Sequence, residues 1–211
     1  EGNIAYFHGN FVPRRDPRFD YSKPVDGSDP ATDWQGLHTV EEVITILNPG
    51  NGWIQNANST PYTAALEFSP RREDYPVYMA PDDENFRGVH AVRVLTGIED
   101  LTIDKLIELA HDPYLPGFEQ LIPGLVEAYD AAEEPDATLA EPVEILRAWD
   151  RATAIDSVAM TLAHFYGLNS NAQGEAPEGL SRMEKVNYFG AGSPLAERLA
   201  IFADTLRLLE A

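Results

Sequence analysis

Two asparagines that stand two positions apart carry the clearest candidate chemistry in this sequence. Asn56 and Asn58 follow Trp53–Gln55, a short run that begins with two apolar residues, and a polar segment comes after them. The run predicts a strand, and alternate residues of a strand point to one side, so both amides would share a face. A fixed amide NH₂ group is a neutral donor that suits a developing oxyanion in acyl transfer, where one donor contributes about 10²–10³ in rate. The alternative is that both amides hydrogen-bond the backbone of their own loop, as Asn often does near turns.

Other chemistry-bearing residues give weaker signals. The five His residues show no metal-binding spacing and no HExxH motif. The chain has no Cys, which excludes a disulfide scaffold, a thiolate metal site and a Cys nucleophile. A GxSxG nucleophile elbow and a Gly-rich phosphate loop are also missing from the sequence. The acidic run Asp82, Asp83 and Glu84 offers the oxygen ligands that Ca²⁺ prefers, with an ordinary acidic loop as the alternative.

The overall charge argues against some partners. The 211 residues include 15 Lys or Arg and 35 Asp or Glu, so the formal net charge is −20. Such a chain repels phosphate, and we therefore expect no nucleic-acid partner. No run approaches the roughly 18 apolar residues of a membrane span, so we expect no membrane partner either. At 44% hydrophobic residues the chain can still build a core.

The sequence changes character near residue 98, which divides it into two predicted segments. Residues 1–97 are rich in Pro, Gly, Asn and aromatic residues and predict short strands separated by irregular loops. Residues 98–211 carry apolar stripes at helical spacing. The fold class is therefore α+β, with the candidate Asn pair in the first segment and a helical second segment.

Individual elements of both segments can be predicted from local patterns. Ile4–Phe7 predicts a strand and His38–Leu47 a short helix. A further helix is expected behind the cap residue Thr102 and another behind Asp156 or Ser157. The stripe from Phe118 to Tyr129 predicts an amphipathic helix that is kinked by Pro123 or begins later than its pattern suggests.

The Asn48–Pro61 stretch resembles the penicillin acylase family of N-terminal nucleophile amidohydrolases. A family segment has the form N-P-x-x-G-x-I-x-N-x-N with Pro soon after, and it is matched by Asn48, Pro49, Gly52, Ile54, Asn56, Asn58 and Pro61. Gly2–Tyr6, Pro13 with Arg14, and Trp34–Leu37 resemble the family's β chain in the same order, and Leu146–Asp150 with Ser157 resembles its helical segment. The resemblance is strong through residues 1–95 and looser beyond them.

This resemblance implies a fold and a set of site residues. The chain would be a fragment of an Ntn-hydrolase αββα fold. Asn58 aligns with the side-chain oxyanion donor of the family, and Arg87 looks like the Arg that helps to position active-site groups. The alternative for Arg87 is a surface residue on a helix. Asn56 and Trp53 would contact the substrate.

Calcium is the one metal that the resemblance implies. The family often binds a structural Ca²⁺, which suggests Asp82, Asp83, Glu84 and a backbone carbonyl near Pro13 as ligands. No cofactor is expected for catalysis.

The resemblance also implies where the nucleophile would come from. In the family it is the N-terminal Ser of the β chain, whose own α-amine acts as the base. This chain begins at Glu1, and Ser22, Ser28 and Ser59 do not stand where the family places its nucleophile. We therefore expect an internal segment that is inactive alone and carries exposed apolar patches at its strands. Its partners would be the α chain and the rest of the β chain.

The expected activity is deacylation of a small N-acyl substrate, such as a penicillin, an acyl-homoserine lactone or an acylated peptide. The resemblance places this activity in the periplasm or outside the cell. Two alternatives remain open: a non-catalytic binding or assembly module, and a self-contained enzyme with an unrecognised site.

Overall fold

A computed structural model describes residues 2–9 and 11–210. The chain divides after residue 100 into two compact units. Buried apolar residues form two small clusters in the first unit and a larger core in the second. The first unit holds the strands and most of the irregular loops, and the second is helical. In the ranges described, no helix has both the length and the apolar composition that crossing a bilayer requires.

A two-stranded antiparallel ribbon organises the first unit. Strand β1 (Ala5–Phe7) pairs with β2 (Thr45–Leu47), with Tyr6 opposite Ile46. The strand predicted at Ile4–Phe7 is thus confirmed. The helix predicted at His38–Leu47 is wrong, because a turn over residues 40–43 leads directly into β2. The β-branched run that starts at Val43 suits a strand, and β1 supplies its pairing partner.

Only one face of this ribbon is covered within the unit. Tyr6 and Ile46 pack with Ile54 and a pair of buried alanines. On the opposite face Phe7 is 53% exposed and Leu47 is 64% exposed. The apolar exposure predicted at the first strand is therefore present, whereas Trp53 is half-buried.

The remainder of the first unit is mostly irregular chain. From Phe11 to Gly36 its only regular element in the described part is a 3₁₀ turn at Pro30–Thr32, and Pro13 forms an isolated bridge with Leu37. The strand predicted at Trp53–Gln55 is wrong, because this segment has no ladder partner among residues 2–9 and 11–210. Gln55 N–H bonds Ala64 C=O at 2.9 Å. Four 3₁₀ turns then lead to helix α1 (Phe86–Leu95).

Six α-helices build the described part of the second unit. They are α2 (Ile103–Ala110), α3 (Phe118–Asp130), α4 (Ala140–Arg147), α5 (Val158–Gln173), α6 (Arg182–Ala191) and α7 (Leu195–Glu210). The caps predicted at Thr102 and Ser157 are confirmed, since their hydroxyl groups accept from the N–H of Lys105 at 3.2 Å and of Met160 at 3.0 Å. Helix α3 begins at Phe118 and contains Pro123, so the later start is not observed.

Helices α3, α6 and α7 meet at very close range. A Cβ atom on Gly124 of α3 would overlap the carbonyl oxygen of Gly190 in α6. Beside this crossing lies Arg198 of α7, which is 4% exposed. Its guanidinium donates to Gly124 C=O at 3.0 Å, to the Ser193 hydroxyl at 3.2 Å and to Ser193 C=O at 2.6 Å. One buried cation thus links α7 to α3 and to the turn between α6 and α7 through backbone and hydroxyl acceptors.

Candidate active site

The two asparagines of the sequence motif lie in a tight loop rather than on a strand. Asn56 Oδ1 accepts from Asn58 N–H at 3.1 Å, which makes an Asx turn, and Asn56 Nδ2 donates to Ser59 C=O at 3.2 Å. Asn58 itself has φ of 55°, a left-handed conformation that Asn tolerates better than most side chains. Asn56 therefore shapes the loop, and Asn58 projects its exposed side chain from it.

The start of helix α1 holds this loop from the other side. Asn85 is the N-cap of α1, and its Oδ1 accepts from Gly88 N–H at 3.0 Å. The Nδ2 group of the same side chain donates to Ala57 C=O at 3.3 Å and to Asn58 C=O at 3.0 Å. One side chain thus bonds both the loop backbone and the first turn of the helix.

A glycine allows the helix to approach so closely. Gly88 is buried, and a Cβ atom built on it would lie 2.7 Å from the Ser59 hydroxyl oxygen. Real Cβ contacts of that length are not found, so any larger residue would force helix α1 and Ser59 apart.

Arg87, the next residue of the helix after Phe86, contacts the Asn58 side chain directly. Its guanidinium donates to Asn58 Oδ1 at 3.2 Å. A guanidinium can only donate, so the atom that faces it must be the amide oxygen, and Nδ2 must face away. No partner of Nδ2 occurs in the parts of the chain that the structure covers. The Asn58 amide nitrogen is therefore available to donate a hydrogen bond.

The electrostatics of this arrangement favour negative charge next to Asn58. Arg87 forms no ion pair within residues 2–9 and 11–210, so its charge is not neutralised by a neighbouring carboxylate. The positive end of the α1 dipole lies at Asn85, which bonds the same loop. A donor amide beside a cation is suited to bind an oxyanion. Arg87 is exposed on α1 and contacts Asn58, and its part in the site stays a prediction.

The two residues expected to contact substrate occupy different environments. Both polar atoms of the Asn56 side chain bond within the loop, and Nδ2 also lies 3.4 Å from the Tyr6 hydroxyl. Burial and, secondarily, the charge of Asp82 raise the pKa of that hydroxyl, so Tyr6 stays neutral. Trp53 is half-buried. Substrate contact by Asn56 and Trp53 stays a prediction.

The acidic run expected to bind calcium is partly used by the protein itself. The Glu84 carboxylate accepts from the Thr63 hydroxyl and from Asn85 N–H at 2.9 Å. Asp83 C=O accepts from Thr60 N–H at 3.2 Å. Across the residues with described positions, no three His, Asp or Glu side chains group so that they could hold a metal. These residues and Pro13 do not by themselves fit a calcium cage, so calcium binding stays a prediction from the resemblance.

The serine hydroxyl groups of this unit have local structural contacts. Ser22 donates to Asp20 at 2.6 Å and Ser28 donates to Asp26 at 2.7 Å, each within a turn. The Ser59 hydroxyl is buried against Gly88. None of these contacts is with an imidazole or an amine, the groups that usually activate a serine nucleophile.

Two residues of the site were not found from the sequence. Asn85 and Gly88 lack a catalytic motif, although an Asn just before the apolar stripe of α1 is a recognisable N-cap signal. Their contacts join residues that lie 27 to 29 positions apart in the sequence, so spacing could not predict them. They provide the support on which the position of Asn58 depends.

The site lies within a region that matches a known family. A family model described as Penicillin amidase matches residues 1–193 of the chain, which includes all of the first unit and most of the second. The match therefore contains Asn58, Arg87 and the segment between them.

Proposed function

Because the chain belongs to the penicillin amidase family, we propose that it is part of an amide hydrolase in which Asn58 is an oxyanion donor. The family supports amide hydrolysis in general. The more specific proposal is supported by one observation: Arg87 holds Asn58 Oδ1 and leaves Nδ2 without a partner in the described structure. An amide held in this way offers a donor at a fixed place.

The proposed reaction is acyl transfer from an N-acyl amide to serine and then to water. The serine oxygen attacks the amide carbonyl and its proton passes to the leaving amine, so the first product is the free amine and an acyl-enzyme. Asn58 Nδ2 donates to the carbonyl oxygen as that oxygen becomes negative in the tetrahedral intermediate. Attack by water then releases the carboxylic acid and restores the serine.

We propose that the nucleophile is a serine outside these 211 residues. The resemblance to the family suggests an N-terminal serine whose α-amine serves as base. The local contacts of Ser22 and Ser28 with their neighbouring aspartates, and the burial of Ser59, support this proposal. The contribution of this chain to catalysis is then the charge-stabilising half of the site.

The substrates we propose are penicillins, acyl-homoserine lactones and acylated peptides, which share a secondary amide with an acyl group. Such a substrate needs a donor at its carbonyl oxygen and imposes no requirement for a metal. The alternative function is a non-catalytic binding module. Asn56, whose amide bonds its own loop, agrees with that alternative, but the Asn58 amide does not.

The test uses the complete enzyme, with its nucleophile segment, and measures hydrolysis of penicillin G, an acyl-homoserine lactone and an acyl-peptide. We expect turnover of at least one of them and a loss of about 10²–10³ in kcat for Asn58→Ala. Asn58→Asp keeps an oxygen for Arg87 but has no donor, so we expect at least the same loss. Asn171→Ala, an exposed Asn on α5, is the matched control and should keep wild-type kcat.

Two results would contradict the proposal. Wild-type kcat in Asn58→Ala would show that this amide is not an oxyanion donor. Turnover by the purified 211-residue chain alone, abolished by Asn58→Ala, would show that the nucleophile lies within it. Binding of acyl amides without any hydrolysis by the complete protein would favour the binding module.

A further inference from the structure

A third residue, Asn85, bonds the backbone at Asn58. We infer that Asn85 is a positioning residue for catalysis, because it couples the N-terminus of α1 to the backbone of the oxyanion donor. This inference rests on the proposed function of Asn58. It assigns a role to a side chain whose polar atoms bond the first turn of α1 and the backbone of the Asn58 loop.

The polar atoms of Asn58 are held by three other residues. Its N–H is bound by Asn56, its C=O by Asn85 and its Oδ1 by Arg87, at 3.1, 3.0 and 3.2 Å respectively. Two of these three holders, Asn85 and Arg87, belong to the first turn of α1 or its cap. The backbone and the side chain of Asn58 are therefore both held by the N-terminal end of α1.

Asn85 is the residue that sets the distance between this helix end and the loop. Without its two bonds to the Ala57 and Asn58 carbonyl oxygens, Asn58 would be held to this helix end by the Arg87 contact and by packing at Gly88. The next bond to the loop, from Thr60 N–H to Asp83 C=O, lies two residues beyond Asn58. The Arg87 side chain is long and exposed, so it tolerates displacement of the loop. A displacement of about 1 Å in a catalytic group can cost about 10²-fold in rate.

The chemistry of this position requires both an acceptor and a donor. The acceptor Oδ1 caps α1 by binding Gly88 N–H, a task that Ser or Asp performs equally well. The donor Nδ2 binds the two loop carbonyl oxygens, a task that neither Ser nor Asp can perform in the same geometry. The two functions of Asn85 can therefore be separated by substitution.

The experiment compares Asn85→Ser and Asn85→Asp with wild type in the complete enzyme, on whichever acyl amide the wild type hydrolyses. Both variants keep the cap and lose the two carbonyl bonds, so we expect a melting temperature only a few degrees below that of wild type. We expect kcat to fall about 10-fold, with KM within twofold, because two carbonyl bonds of modest strength are lost and Asn58 acts in the transition state. Combined with Asn58→Ala, Asn85→Ser should cause no further loss.

The control is Thr102→Ala, which removes the cap of α2. It should lower the melting temperature by a few degrees and leave kcat unchanged. Wild-type kcat in both Asn85 variants would overturn the inference. So would an equal kcat loss in the presence and absence of the Asn58 side chain, because the effect would then not pass through Asn58.

A separate measurement distinguishes failure of this inference from failure of the proposed function. If the complete wild-type protein hydrolyses none of the acyl amides, the proposed function fails, and with it the catalytic part of the inference. The tether, which is the pair of bonds from Asn85 to the Ala57 and Asn58 carbonyl oxygens, is then tested by hydrogen exchange of peptides covering residues 56–62. Exchange at least 10-fold faster in Asn85→Ser supports the tether, and unchanged exchange refutes it.

Discussion

Replacing Arg198 with Met should destabilise the helical unit strongly, although the two side chains are similar in length. Arg198 is 4% exposed and donates to Gly124 C=O, Ser193 C=O and the Ser193 hydroxyl. Its nearest carboxylate, Glu127, lies 3.8 Å away and is 71% exposed. The guanidinium is therefore held mainly by neutral acceptors.

The size of the effect follows from those acceptors. Met fills much of the space but donates nothing, so the two buried carbonyl oxygens lose a partner at a cost of about 1–3 kcal/mol each. Part of this cost is offset because a buried charge no longer has to be desolvated. We expect the free energy of unfolding to fall by about 2–4 kcal/mol. For an m-value of about 2 kcal/mol/M, the urea midpoint then falls by about 1–2 M.

The assay is urea unfolding followed by far-UV circular dichroism, with Arg207→Met as the matched control. Arg207 lies on the same helix, is 71% exposed and pairs only with Asp204. An exposed pair contributes about 0–1 kcal/mol, so this variant should shift the midpoint very little. Equal shifts in the two variants would refute the reasoning, because burial and the three acceptors would then contribute nothing measurable.

Three further predictions concern Arg87, the acid stability of the helical unit and calcium. Arg87→Met should lower kcat about 3–10-fold in the complete enzyme and cause no further loss in kcat when combined with Asn58→Ala. Additive losses in this double-mutant cycle would show that Arg87 does not act through Asn58. Bonding to Arg147 lowers the pKa of Asp130, so the stability from this pair is present above the ordinary carboxyl pKa and is lost as the pH falls through the lowered pKa. The variant Asp130→Asn should lack that part of the acid dependence when its melting temperature is measured from pH 7 to pH 2. If calcium binds as the resemblance implies, 1 mM Ca²⁺ should stabilise the complete enzyme by about 2.7 kcal/mol for a Kd of about 10 μM, and identical melting in EDTA would contradict it.

The helical unit could be predicted well from sequence because its signals are local. A hydroxyl at Thr102 or Ser157 caps the helix that starts one residue later, and both partners lie within four residues. Apolar stripes at helical spacing depend on the same short range. The close crossing at Gly124 and Gly190 depends on residues far apart in the chain, and spacing gave no indication of it.

The first unit was harder to predict because its structure depends on distant partners. Val40, Val43, Ile44 and Leu47 form a helical stripe, yet the segment becomes strand β2, since β1 pairs with it forty residues away along the chain. Trp53–Gln55 has strand-like residues but no neighbouring strand, so it stays irregular. In both cases local propensity was overridden by the presence or absence of a pairing partner.

For the site, likewise, the motif predicted the residues but not the backbone conformation that holds them. Asn58 could be singled out because an unusual set of residues surrounds it, and Arg87 because of the resemblance to a family. The strand that was expected to present Asn58 is replaced by a left-handed loop residue, whose conformation is set by Asn56 and Asn85. A strand would have taken its geometry from a ladder, whereas this loop takes it from side-chain amides.

A donor supported in this way should be sensitive in rate before it is sensitive in stability. Each contact that orients Asn58 is a single hydrogen bond at an exposed or half-buried position, and such a bond contributes about 0.5–1.5 kcal/mol to folding. The oxyanion, in contrast, needs the amide NH₂ group within about 0.5 Å of its working position. Substitutions at Asn56, Asn85 or Arg87 should therefore lower kcat while the protein stays folded, and this separation is what distinguishes a positioned donor from an ordinary loop asparagine.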